Sequence, residues 1–301
     1  MTPGEPIPYL ERIRTYYQAL GYGEPYRWAQ QGDVLFTPME KPLANTRIAL
    51  LTTAAPYQEG KGDQGQGAAY NGSAKFYRVY SLPTDSEPDL RISHIAYDRD
   101  HTSAADMNCW FPLAKMKAFA ARGEIGPLPN RFHGLPTNRS HRTTLEQDCP
   151  DVREQLRKDG ADAAVIVPNC PVCHQTAALT AAYLEGEGIS TVVMGCAKDI
   201  VEHVGVPRFL FSDFPLGNSA GKPHDPGSQE QTLRLALNLL ADATGPRTTV
   251  RSPLIWSEDE DWKLDYSNIE RLSTDEIALR RREFDAQKEA AKQKVDAASG
   301  G

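Results

Sequence analysis

From residue 149 to residue 243 the chain alternates short, wholly apolar runs with longer amphipathic ones. Residues 149–158 read as a helix ended by Gly160, 163–167 as a strand, and 173–187 as a helix with Gly188 behind it. A strand at 190–194, a short helix at 198–204, a strand at 208–211 and an amphipathic helix at 229–243 follow. Each strand is apolar throughout rather than at every second residue, so both of its faces should be buried. The pattern predicts an α/β fold: a mostly parallel sheet covered by helices on both faces, in Rossmann-like layers.

The flanks are less regular. Ile7, Leu10, Ile13, Tyr17 and Leu20 have helical spacing over residues 7–21. Residues 47–53 read as the first buried strand, 55–74 as a polar loop, 90–97 as a strand and 113–122 as a short helix closed by Gly123. The loop's Gly60–Gly67 stretch lacks the Gly-Lys-Ser/Thr ending of a phosphate loop. Past an acidic run at 257–261, Ser273-Thr-Asp-Glu276 is a capping box. It opens a polar C-terminal helix to about residue 297, read as a solvated tail, with a docking arm for a partner subunit as the sharper alternative. The expected division is an N-terminal helical segment (1–45), an α/β domain (46–250) and a charged helical tail (251–301).

The chemistry concentrates in Val165-Ile-Val-Pro-Asn-Cys-Pro-Val-Cys-His174. A strand that turns into a helix through Cys-x-x-Cys places its first sulfur where the N–H groups of the helix start converge, which favours thiolate. Pro171 suits the first turn. Cys170 and Cys173 therefore read as a redox pair: one thiol attacks, the other resolves. Cys196, just past the next strand, is a possible third thiol. A zinc site from Cys170, Cys173, Cys196 and His174 or His203 is the alternative, although a structural site usually has paired ligand clusters. Cys170-Pro-Val-Cys-His174 also fits the haem-attachment motif, but the α/β pattern is wrong for a small cytochrome. His174 either faces solvent or lowers the Cys170 pKa as an imidazolium.

A second polar cluster holds His94, Asp98 and His101, then Asp106 and Asn108. These residues share no face of a regular element, so loop solvation competes with substrate binding or metal binding. Asp213, after the 208–211 strand, is a cap or a substrate ligand, and Asn218 closes the turn behind it. Cys109, beside Trp110 and Phe111, reads as core. Ligands of such sheets collect at strand carboxyl ends, where Cys170, Cys196 and Asp213 all fall. Net charge −7 argues against nucleic-acid or anionic-membrane partners. Five irregularly spaced cysteines, no secretory pattern in Met1-Thr-Pro-Gly-Glu-Pro and no long apolar run predict a cytoplasmic protein.

An ordered set of short matches adds to this. Ala49-Leu-Leu-Thr-Thr53, Arg91-Ile-Ser-His-Ile-Ala-Tyr-Asp98 with His101-Thr102, Asp106-Met-Asn108 with Phe111-Pro112, Gly123-Glu-Ile-Gly126, Asp159-Gly-Ala-Asp162 and Pro215-Leu-Gly-Asn218 run in order over residues 45–240. Together they resemble the selenoprotein B family of glycine, sarcosine and betaine reductases and the related D-proline reductase subunit. In that family the first motif position, here Cys170, is often selenocysteine. The resemblance implies reductive cleavage of a C–N bond, a pyruvoyl group on a partner subunit, and thioredoxin-like electron donors. Here sulfur stands in place of selenium, and no pyruvoyl-forming chain is part of the sequence. The expectation is a thiol-dependent reductase that cleaves a C–N or similar bond of a small electrophile. It would need no cofactor in this chain and would act with a second reductase subunit or as a homo-oligomer. A zinc-binding, redox-partner or assembly protein without turnover is the alternative.

Overall fold

The apolar runs form the centre of a seven-stranded sheet, in the order β3-β5-β1-β6-β7-β8-β9. The computed structural model describes residues 4–65, 68, 71–94 and 96–299. In chain order the strands are β1 (Ile48–Thr52), β2 (Ala55–Pro56), β3 (Tyr80–Pro83), β4 (Leu90–Arg91), β5 (Arg131–Gly134), β6 (Ala163–Val167), β7 (Ser190–Gly195), β8 (Arg208–Phe211) and β9 (Thr248–Arg251). The helices are α1 (Tyr9–Ala19), α2 (Leu113–Ala121), α3 (His141–Thr143), α4 (Cys149–Lys158), α5 (Pro171–Gly186), α6 (Lys198–Val204), α7 (Pro226–Asp242) and α8 (Thr274–Ser299). A π-helical turn, Thr144–Asp148, joins α3 to α4.

Every pairing in the large sheet is parallel except β3 with β5. Leu50 pairs with Val165, Val165 with Val192, and Val193 with Phe209. The pleat sends alternate residues to opposite cores. Ala49, Leu51, Ile166 and Val193 meet the α4, α5 and α6 side, whereas Ile48, Leu50, Val165 and Met194 meet the α2 and α7 side. The α/β fold, with a mostly parallel sheet between helical layers, is therefore as expected. Trp262 and Tyr266, from the stretch before α8, lie in the first of these cores with Ile7 and Tyr9 of the N-terminal segment. Among the described residues no helix is long and apolar enough to cross a membrane.

Several elements differ from the sequence reading. The strand expected at 90–97 pairs only at Leu90–Arg91, in a two-stranded antiparallel ladder with Ala55–Pro56. Beyond it the carbonyls of Ile92 and His94 accept from the Arg99 guanidinium at 3.2 and 2.7 Å instead of from a neighbouring strand. β3, β5 and β9 escape the apolar-run criterion: β3 and β9 are half-buried edges, and β5 carries Arg131 and His133. The loop expected at 55–74 contains β2 and a short turn at Gly72–Ala74. Its Gln66, Gly67, Ala69 and Tyr70 lie outside the described residues, as do Ile95 of the expected strand and residues 1–3.

At the amino end of the sheet a buried ion pair ties the N-terminal segment down. Arg208 Nη1 donates to Glu185 Oε1 at 2.6 Å, and both side chains are solvent-free. Glu185 also accepts from Thr191 N–H at 2.6 Å and from the N–H of Thr37. Arg208 Nη2 donates to the Thr37 carbonyl at 2.8 Å, with the Phe36 ring 4.0 Å from the guanidinium carbon. Removing one partner strands the other charge away from water. Glu185→Ala should lose about 3–5 kcal/mol in urea unfolding, whereas loss of the exposed Glu154–Lys158 pair should cost about 0–1 kcal/mol.

Candidate functional site

The connections around β1 and β6 diverge. The chain leaves β1 towards β5 on one side, and leaves β6 towards β7 on the other. A crevice opens where neighbouring connections part, at the carboxyl ends of β1 and β6. Val167 ends β6, Pro168-Asn169 leaves the sheet, and Cys170 is the N-cap of α5. The helix begins at Pro171, two residues before the predicted start, because proline needs no N–H partner there. Cys170 Sγ accepts from the Cys173 N–H at 3.3 Å. From β1, Thr53 Oγ1 accepts from Asn169 N–H at 3.1 Å and fixes the turn. The segment after β5 contributes Thr137.

The two sulfurs are 2.9 Å apart as free thiols. Thr137 Oγ1 lies 3.1 Å from Cys173 Sγ and 3.4 Å from His94 Nε2. His94 offers a ring nitrogen within 4.8 Å of both sulfurs. These neighbours treat the two thiols unequally. Burial pushes the Cys170 pKa well up, and its hydrogen bond and charge repulsion with Cys173 add to this. Burial also opposes ionisation of Cys173. The hydrogen bond from Cys170, the charge of His94 and hydrogen bonds from His94 and Thr137 outweigh it and hold Cys173 well below the ordinary thiol range. Close like charges cannot both ionise, so the two sulfurs titrate as a pair, with the neighbours favouring the charge on Cys173. The other three thiols go the other way. Burial pushes Cys149 and Cys196 up to about 12 and raises Cys109 further.

Of the residues singled out from sequence, the fold brings Cys170, Cys173 and His94 together. Cys196 and His174 stand apart from them. His174 is fully buried, donates from Nδ1 to the Cys170 carbonyl at 2.8 Å and accepts at Nε2 from the Cys196 N–H at 2.9 Å. Burial lowers its pKa to about 4, so it is a neutral staple between α5 and β7 and not an imidazolium beside the thiol. A Cβ at Gly195 would come within 2.7 Å of its ring, which is why glycine ends β7. Cys196 Sγ faces Ser219 Oγ at 3.7 Å. Among the described residues the thiols and His94 gather no fourth donor, and a structural zinc site takes four.

The remaining candidates make hydrogen bonds and ion pairs, several of them to distant segments. Asp98 is buried and bonds the His101 ring at 3.0 Å, and His101 Nε2 reaches Asp265 at 3.3 Å. Asp106 accepts from Asn108 N–H at 3.0 Å, His224 N–H at 2.8 Å and Gln229 Nε2 at 2.7 Å. Asp213 pairs with Arg251 and Lys263, each at 2.7 Å. Asn218 accepts from Thr102 Oγ1 and donates to the Pro215 carbonyl.

Sequence reading missed Thr137, because β5 before it carries no apolar run. It also missed a cavity of about 230 Å³ that reaches Cys170 and is walled by Tyr17, Tyr26, Trp28, Arg139, Tyr266 and Phe284. Asn169, beside Cys170, is buried with neither side-chain amide atom hydrogen-bonded among the described residues. Buried groups left this way are costly and concentrate at sites of function.

Two relatives are similar to the chain over about two thirds of its length. The chain is 29% identical over 211 residues to the D-proline reductase subunit gamma of Acetoanaerobium sticklandii, covering 69% of this chain and 84% of the relative. It is 25% identical over 207 residues to the glycine reductase complex component B subunit gamma of Symbiobacterium thermophilum, covering 68% of this chain and 47% of the relative. The chain is a homologue of these gamma subunits, as the resemblance to the selenoprotein B-like family implied. It spans about half the length of the second relative. No protein-family model and no solved structure matches it.

The thiol assignment has a direct readout. Ultraviolet thiolate absorbance should persist below the ordinary thiol range of about 8.5 and fade as pH falls through the lowered value of Cys173. In Cys173→Ser the onset should move above that range, and Thr137→Val should move it part of the way. An onset unaffected by Cys173→Ser contradicts the assignment.

Proposed function

We propose that the protein is a thiol-dependent reductase acting on a small electrophile, with Cys170 as nucleophile and Cys173 first as base and then as resolving thiol. The observation that carries this reading is the close contact between the cavity-lining Cys170 and the solvent-free Cys173 behind it. Cys170 is 5% exposed and lines the cavity, and Cys173 is solvent-free. The Cys173 thiolate takes the Cys170 proton across their 2.9 Å contact. Cys170 then attacks the electrophilic centre, forming an S–substrate bond while the leaving group departs with the electron pair of its own bond. The departing group takes up the proton from Cys173, and the Cys173 thiolate, held by Thr137 and His94, attacks the Cys170 sulfur. The disulfide forms, the S–substrate bond breaks, and the substrate carries off that electron pair and takes up a proton. Overall two thiols are oxidised to one disulfide and the substrate gains two electrons.

The disulfide must be reduced by an external dithiol, and a thioredoxin-like protein is the donor class that fits. Both relatives are named as subunits of reductases, which supports a second subunit as partner. In a C–N-cleaving assembly, a pyruvoyl group on that partner would activate the amine, and this chain would supply the thiols.

With dithiothreitol as reductant and a panel of small electrophiles, Cys170→Ser should lower turnover by about 10³-fold or more. Cys173→Ser should accumulate a covalent adduct on Cys170, visible by intact mass. Full turnover in Cys170→Ser contradicts the proposal.

A further inference from the structure

The walls of the thiol cavity come from a different part of the chain than its floor. Cys170 belongs to the stretch 45–240 that carries the family resemblance. The aromatic walls, Tyr17, Tyr22, Tyr26, Trp28, Tyr266 and Phe284, all lie outside it. α1 and the segment after it supply four rings, the stretch before α8 supplies Tyr266, and α8 supplies Phe284. The rings brace one another edge to face. Phe284 meets Tyr17 at 5.2 Å and Tyr22 at 5.1 Å, and Tyr26 meets Trp28 at 4.7 Å. Braced aromatic walls give a fixed apolar slot at low entropic cost. α8 is thus not merely a solvated tail: Phe284 and Lys288 close one side of the cavity.

The charge on these walls is one-sided. Arg14, Arg139 and Lys288 line the cavity, against the one lining carboxylate of Glu24, with Arg14 also paired to Glu11 at 3.7 Å. Lys75 lies near both sulfurs, which favour its charge, while burial and Arg139 lower its pKa. Arg139 also hydrogen-bonds the Tyr17 hydroxyl, whose pKa burial pushes up to about 12, so this wall stays neutral apart from its cations. A cationic amine would find the rings it needs but also three like charges, which repel it. An aliphatic acid would satisfy the cations and leave the apolar walls wet.

We propose that this chamber selects a single-ring aromatic carboxylate, with the ring held among the aromatic walls and the anion facing Arg139. That this ligand is the substrate rests on the reductase reading; that it binds does not. The terminal segments would then set the specificity of a thiol core shared with the relatives.

The test uses the reduced full-length protein and isothermal titration with four probes: phenylacetate, propionate, benzyl alcohol and benzyltrimethylammonium. Phenylacetate should bind at least about tenfold tighter than each of the others. Arg139→Met should reduce it to the affinity of benzyl alcohol, and Phe284→Ala to that of propionate, with far-ultraviolet circular dichroism unchanged in both. Bound phenylacetate should also slow alkylation of Cys170 in proportion to occupancy. Tighter binding of propionate or of the ammonium probe, or no binding of phenylacetate to folded protein, overturns the inference. Selective phenylacetate binding together with full turnover in Cys170→Ser would leave the chamber standing and remove the reductase reading. Thiol-dependent turnover without phenylacetate binding would do the reverse.

Discussion

A parallel sheet buried on both faces can expose chemistry only at its ends, and the crevice at the carboxyl ends of β1 and β6 governs the rest of this structure. Because the connections part there, the turn after β6 brings Cys170 to the wall of a cavity while the strand itself is sealed: Ala163 to Val167 are all solvent-free. Thr53 from β1, Thr137 after β5 and Cys170 after β6 converge on one place without any long-range pairing of their own. The start of α5 adds the N–H of Cys173. The same sulfur pair on a free loop would have none of these partners.

Within the crevice the decisive quantity is the sharing of one proton between two buried sulfurs. Burial alone raises every thiol in the chain, as Cys109, Cys149 and Cys196 demonstrate. Cys173 departs from that trend because three donors converge on it: Cys170, Thr137 and His94. Helix-start reasoning places the low-pKa sulfur on Cys170, the residue at the cap. The fold instead gives Cys170 the face towards the cavity and gives Cys173 the stabilised charge. Division of labour between an accessible thiol and a charged one behind it is what a two-step thiol reaction requires.

How much of this is legible in the sequence follows from which signals are local. The central strands carry apolar runs because both faces are buried, so Ala163–Val167 and Ser190–Gly195 announce themselves, and Cys-Pro-Val-Cys at a strand–helix junction marks the two neighbouring thiols. The edge strands β3 and β9 carry weaker patterns, because each has only one neighbour and is half exposed. β5 hides behind buried His133, whose ring meets Ser81 at 2.8 Å and Asp159 at 3.1 Å. Losing β5 meant losing Thr137. His94 and His174 could not be told apart by composition: one ring turns to the sulfurs and the other to the N–H of Cys196, and only the placement of each ring in three dimensions decides which. The aromatic walls escaped for the same reason, since residues about 260 positions apart, Tyr22 and Phe284, meet only after the termini fold back.

The central claim is that the sulfur facing the cavity is activated by the thiolate behind it. Limiting iodoacetamide at neutral pH, followed by peptide mass mapping, tests it most directly. The account predicts label on Cys170, strongly slowed by Cys173→Ser, with Cys109, Cys149 and Cys196 unlabelled in the folded protein. Label spread evenly over the five cysteines, or a Cys170 rate indifferent to the loss of Cys173, would contradict it.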